Sequence, residues 1–168
     1  MISALLAVDG YGGMGYKGTL PWYVSEDLQK FKELTTGQIV VMGRKTWDDK
    51  KFPKPLVNRT CYVVTSNPDT LGPHAEALDG SNIEKSITEL EFKHPGKTIY
   101  VIGGPRIIMQ AKNILDQIHL TQIAGEYKTD VKIKITDLIT NEYIPRSSSS
   151  GPHHKATFIR YEKLKIIQ

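Results

Sequence analysis

The sequence predicts an α/β fold: a central, mostly parallel mixed β-sheet with an antiparallel C-terminal edge, flanked by about four helices. Three observations carry this. Short β-rich runs recur along the whole chain, at residues 2–8, 39–42, 61–65, 99–102, 117–123, 131–135 and 156–167. Several are continuously apolar, as strands buried on both faces are. Helix-forming segments separate the early strands, which calls for crossover connections and a parallel sheet. The last strands follow one another without helices and so add an antiparallel edge.

The opening strand, residues 2–8, leads into a glycine-rich stretch at 10–19. A helix then begins at Ser25, read as its N-cap, with Glu26 and Asp27 in the first turn where acids favour the helix dipole. Leu28, Phe31 and Thr35 share one face of it. A second helix starts near Arg44-Lys45-Thr46. A third is expected around Ser86-Ile87-Thr88-Glu89, which has capping-box spacing. A fourth follows Gly103-Gly104, with Pro105 suited to the first helical position. Residues 131–135 (Val-Lys-Ile-Lys-Ile) alternate and read as a strand with one wet face. The serine-rich stretch 146–154 reads as a mobile hairpin loop, because the dozen or so residues after it are too few for another domain. One domain over 1–168 is therefore expected.

The 168 residues, 39% hydrophobic and 24% charged, are ordinary for a globular chain. Net charge is +4, with the basic residues dispersed among acids rather than gathered on one face. That argues for a solvated surface over a nucleic-acid interface, and leaves room for a positive rim that steers an anionic ligand. Cys61 is the lone cysteine and lies in an apolar run, so it reads as a small core residue. No metal-ligand spacing is present. The N-terminus lacks the basic start of a signal peptide, and no apolar stretch approaches the roughly 20 residues of a membrane helix. A soluble, cytoplasmic monomer without nucleic-acid or membrane partners is expected.

Four clusters bear on chemistry. Gly10-Tyr11-Gly12-Gly13-Met14-Gly15 resembles a phosphate fingerprint, but Leu20-Pro21-Trp22 intervenes before any helix, so a mobile flap fits better. Gly43-Arg44-Lys45-Thr46 follows a buried strand and opens a helix. A phosphate site and a solvated basic turn account for it equally well. Val101-Ile102-Gly103-Gly104-Pro105 suits either a tight turn or close approach of a ligand to backbone. Asp27 is either a dipole-capping acid or, if its helix face lines a pocket, a buried carboxylate with a chemical role.

Taken together these clusters resemble dihydrofolate reductase, in its bacterial or phage forms, over nearly the whole chain. Leu20-Pro21-Trp22 is similar to the family's loop-closing tripeptide. Asp27-Leu28 with Phe31 resembles its pterin-facing helix. Residues 41–47 and 101–104 resemble its two cofactor segments. The resemblance implies reduction of dihydrofolate by NADPH, which supplies a one-carbon carrier for thymidylate and purine synthesis. It implies catalytic parts for Asp27, Thr121, Trp22 and Leu20. Substrate would meet Ser3, Leu5, Leu28, Phe31, Ile102 and Arg59, the last forking onto a carboxylate of the glutamate tail. Cofactor would meet Ala7, Met14, Leu20, Gly43, Lys45, Thr46, Ile102, Gly103, Gly104 and Arg106. Arg44, Thr65 and Ser66 would hold its 2′-phosphate. Asp130 falls where the family has a loop-holding aspartate, and a cis peptide between Gly103 and Gly104 is implied. The chain departs from the pattern in a longer, glycine-richer flap, in Ile108 and His119 where tyrosines are usual, and in Val57-Asn58 before Arg59.

Two other readings compete. A pyrimidine reductase of the riboflavin pathway shares fold and cofactor but does not call for Asp27, Phe31 and Arg59 together. A non-catalytic descendant would have no use for a buried carboxylate that costs stability.

Overall fold

Strand β1 (Ile2–Val8) lies at the interior of an eight-stranded sheet, in the order β5-β4-β3-β6-β1-β7-β10-β9. The computed structural model describes residues 1–165. Strands β3 (Ile39–Gly43), β4 (Thr60–Val64), β5 (Glu76–Leu78), β6 (Ile99–Gly103) and β7 (Gln117–Ile123) continue the sheet in parallel. Strands β9 (Tyr143–Ser150) and β10 (Ala156–Lys163) close it antiparallel. The expected architecture is observed.

The alternation of side chains along β1 divides the core. Ile2, Ala4, Leu6 and Val8 pack with Ile39, Val41, Ile118 and Leu120 under α3 (Ile83–Lys93) and α4 (Pro105–Gln110). Ser3, Leu5 and Ala7 therefore face the other side, as do His119 and Thr121 on β7. That second side carries α1 (Ser25–Thr35), whose Phe31 packs with Val40 and Met42. The functional side chains of β1, β7 and α1 converge because the strand period places them on one face.

Several expectations need correction. The residue preceding α1 is Val24, with no side-chain cap, and Ser25 is already helical. Helix α3 begins four residues earlier than its capping-box spacing suggests. Asn82 caps it by accepting from the Lys85 N–H at 3.1 Å, while Ser86 lies inside and donates its hydroxyl to the Asp79 carbonyl. Residues 131–135 are not one strand: β8 is Val131–Lys132, and Ile135 opens a fifth helix, α5 (Ile135–Leu138). Ile133 and Leu138 both enter the core, and that burial outweighs strand alternation. The serines 147–150 are not loop but edge strand, paired with 157–160. A solvated edge tolerates polar side chains because its ladder is made by backbone. The turn itself spans only 151–155. Strand β5 had no signal in the sequence. Of the expected last strand, residues 166 and 167 lie outside the described residues.

The flap begins with strand β2 (Gly13–Gly15), which pairs with β8 in a separate two-stranded ribbon. Gly12 has φ of +76°, and a Cβ there would stand 2.5 Å from the Ile133 carbonyl oxygen. Gly18 has φ of +81° but open space around it. Gly12→Ala is therefore expected to cost more stability than Gly18→Ala. The expectation is about 2–3 kcal/mol for strain plus clash against about 1 kcal/mol for strain alone. Urea unfolding of the two variants measures the gap, and equal losses would contradict the packing of Gly12 against Ile133.

Candidate active site

Asp27 lies in the first turn of α1, one turn before Phe31, on the face turned to the sheet. Burial pushes its carboxyl up to about 6, while a hydrogen bond with the Thr121 side chain pulls the other way. Thr121 is 2% exposed. The acid is thus not a solvated cap on the helix dipole. Two apolar side chains of the same stretch stay open to solvent: Leu20 is 41% and Leu28 38% exposed. Phe31 and Ile102 belong to one apolar cluster, which brings the α1 face and the end of β6 together. Leu5 is buried on the same sheet face, and Ala7 packs with Trp22 and Phe158.

Arg59 is held beside this face. Its guanidinium lies over the Phe31 ring at 5.8 Å and donates to the Thr35 hydroxyl at 3.2 Å and the Val57 carbonyl at 3.1 Å. Partial burial lowers its pKa, against an opposing effect of Cys61. Asn58 has φ of +58°, the left-handed conformation that asparagine tolerates better than most residues. Val57-Asn58 therefore still turns the chain so that Arg59 meets α1.

A second group gathers at the carboxyl ends of β3 and β6. A Cβ on Gly43 would lie 3.6 Å from the Gly103 oxygen and 3.7 Å from the Gly104 nitrogen, so the two strand ends nearly touch. The Gly103–Gly104 peptide is cis, as expected. A Cβ on Gly104 would meet nothing within 4 Å, and Thr46 stands 3.6 Å from that of Gly103. Helix α2 (Arg44–Asp48) starts here. Arg44 pairs with Asp48 at 3.0 Å and donates to Thr70 at 2.6 Å and Thr65 at 3.4 Å. Ser66, Lys45 and Arg106 are exposed nearby in sequence. A cation, several hydroxyls and backbone without side chains suit a phosphate-bearing cofactor.

Four positions singled out in the sequence differ in setting. Ser3 is fully buried and its hydroxyl has no partner among the described residues, so it offers a ligand no surface. Met14 packs against the central core cluster. His119 is a partly buried imidazole on the Thr121 face, 6.0 Å from Tyr100. Its pKa is pushed down to about 4 by burial, with Lys30 and Arg160 adding to the effect. Ile108, in place of a tyrosine, is a fully buried core residue.

Two aspartates pin the flap. Asp130 accepts from the Lys17 N–H at 3.0 Å, and its own N–H donates to the Gly15 carbonyl. Asp9, which sequence reasoning passed over, is 4% exposed and accepts from the N–H groups of Tyr11, Gly13 and Tyr127. Burial alone would raise its pKa, yet the three backbone bonds and Lys132 bring it below the usual value. Its only sequence signal was an Asp before glycines, the pattern of an Asx turn. Trp22 is buried, with its indole Nε1 lacking a partner among the described residues.

Residues 1–163 match the dihydrofolate reductase family. The chain is 40% identical over 131 residues to the bifunctional dihydrofolate reductase-thymidylate synthase of Paramecium tetraurelia, spanning 77% of this chain but only 27% of that longer protein. It is 32% identical to the dihydrofolate reductase of Bacillus subtilis over 77% of this chain and 75% of the other. Dihydrofolate reductase type 8 of Escherichia coli is 29% identical over 99% and 98% of the two chains. Among solved structures, dihydrofolate reductase from Enterococcus faecalis complexed with NADP(H) and RAB-propyl superposes with a TM-score of 0.82 at 25% identity, covering 98% of this chain and 97% of that one.

The raised pKa of Asp27 has a consequence for stability. The folded carboxyl holds its proton up to about 6, against 3.8 ordinarily, so the ionised form burdens the fold above that pH. The burden fades as pH falls through 6 toward 4. Asp27→Asn should therefore be more stable than the parent at pH 8 by about 1–3 kcal/mol, with the gap closing near pH 4. Urea unfolding at the two pH values measures it. An asparagine variant no more stable than the parent at pH 8 would contradict burial of the charge.

Proposed function

The chain belongs to the dihydrofolate reductase family, and from that premise we infer that it reduces 7,8-dihydrofolate to 5,6,7,8-tetrahydrofolate with NADPH. The observation that carries the reading is Asp27, a carboxylate largely withdrawn from water and hydrogen-bonded with Thr121. Bound NADPH supplies the hydride, and that chemistry is the cofactor's own.

The chain's residues have the tasks of positioning, charge and dryness. The Asp27 carboxylate accepts the adjacent N–H and amino groups of the pterin edge, with Thr121 bonded to it. Its negative charge favours the proton that N5 must gain when C6 receives hydride. Leu5, Leu28, Phe31 and Ile102 sandwich the flat substrate, and Arg59 forks onto the tail carboxylate. Leu20, Trp22 and the flap close over the reacting atoms, with Ala7 on the nicotinamide side. Gly43, Thr46, Gly103 and Gly104 give the cofactor backbone room. Arg44, Thr65 and Ser66 hold its 2′-phosphate, with Lys45 and Arg106 at the rim. A single-domain, cytoplasmic monomer belongs to the same proposal. Sedimentation at a mass near 18.9 kDa tests the monomer.

Asp27→Asn keeps shape and one acceptor but removes the charge. The variant is expected to fold, bind NADPH, lose roughly 10²-fold in kcat at pH 7 and regain part of it in acid, where substrate arrives protonated. Parent-like activity at neutral pH would refute the assignment. Arg44→Ala is expected to raise KM for NADPH roughly tenfold while leaving that for NADH nearly unchanged. Equal losses with both cofactors would show that Arg44 serves only its bonds to Thr65 and Thr70.

A further inference from the structure

We propose that Tyr127, itself fixed by Asp9, is a positioning residue that holds the Trp22 indole in place over the reacting region. The inference rests on the reductase reading above, which puts Trp22 at the closing tripeptide. The Tyr127 ring meets the Trp22 indole edge-on, with centroids 5.4 Å apart and planes at 63°. The indole also belongs to a small apolar cluster with Val24, Ile123 and Ala156, against which Ala7 and Phe158 pack.

The position of Tyr127 has its own causes. Its N–H donates to Asp9 Oδ2 at 3.2 Å, while Oδ1 of the same carboxylate takes the N–H groups of Tyr11 and Gly13 at 2.9 Å each. One buried acid thus ties the loop after β7 to the base of the flap. Three charge-assisted bonds from backbone leave that carboxylate little freedom. The chain turns at Gly125, with φ of +101°, so that the ring folds back over it. A Cβ on Gly125 would stand 3.7 Å from the Tyr127 ring. An aromatic ring, not an aliphatic side chain, makes this edge-on contact with the indole.

Trp22 and Trp47 are the two tryptophans of the chain, and Trp47 lies in a different cluster, against Phe52. The Trp47 indole is therefore an internal control. The experiment records the indole N–H resonances of the ligand-free protein alongside steady-state kinetics for Tyr127→Leu, Tyr127→Phe and Asp9→Asn. Tyr127→Leu is expected to shift the Trp22 resonance, leave that of Trp47 in place and lower kcat roughly tenfold with KM for NADPH unchanged. Tyr127→Phe keeps the ring and should behave as the parent. Asp9→Asn should shift the Trp22 resonance with Trp47 still, and it serves in place of the leucine variant should that one not fold. An unmoved Trp22 resonance in both Tyr127→Leu and Asp9→Asn overturns the proposal, as does a Tyr127→Phe variant as impaired as Tyr127→Leu. The resonances are read without substrate, so a parent that fails to reduce dihydrofolate sinks the reductase reading while the Tyr127–Trp22 coupling is still tested.

Discussion

A carboxylate kept away from water on the inner face of one helix is the constraint on which the arrangement of this protein turns. Asp27 gains only the Thr121 hydrogen bond in compensation for lost hydration, and burial dominates its titration. An acid serving only the dipole of α1 would do so better from the exposed side. Its placement costs stability, and a fold retains such a cost where a ligand's charge or hydrogen-bond donors will meet the group. The apolar neighbours are the other half of this arrangement. Leu20 and Leu28 stay open to solvent while Phe31 and Ile102 pack against one apolar cluster, which leaves a surface ready for a flat, apolar ring.

The sheet makes this possible by dividing labour between its faces. One side of β1 feeds the large core under α3 and α4, which carries the stability. The other side presents Leu5 and Ala7, with Thr121 one strand away on β7. At the carboxyl ends of β3 and β6 the absence of side chains on Gly43, Gly103 and Gly104 lets two strand ends and two helix starts crowd together. Ligands of open parallel sheets gather at such carboxyl ends, and Arg44 with Thr65 and Thr70 supplies the anion-seeking groups there.

How much was legible in the sequence followed from which forces were local. Buried parallel strands announce themselves as apolar runs, so β1, β3, β4, β6 and β7 could be placed within a residue or so. Gly103-Gly104-Pro105 and Gly43-Arg44 marked the starts of α4 and α2 because turn chemistry is local. Where two local rules fitted, tertiary packing decided. The capping-box spacing at Ser86 pointed to a later start for α3, and Ile83, buried at the helix start, goes with the earlier cap at Asn82. Residues 131–135 alternate like a strand, but Leu138 is drawn into the core and the segment coils into α5. The serines of β9 gave no strand signal, since their pairing is made by backbone. At the candidate site, Asp27 and Arg44 were singled out from local pattern and resemblance, Thr121 and Arg59 from resemblance alone. Asp9 was not, because one of its three donors, Tyr127, lies far along the chain.

The central claim is that Asp27 is a largely buried carboxylate whose pKa burial raises to about 6, not a solvated helix cap. Carbon-13 NMR of the ligand-free protein, following the Asp27 side-chain carboxyl from pH 3 to pH 9, tests it most directly. The account predicts a midpoint at about 6. A midpoint at the ordinary 3.8 or below would contradict it, since the carboxylate would then be in water or paired with a cation.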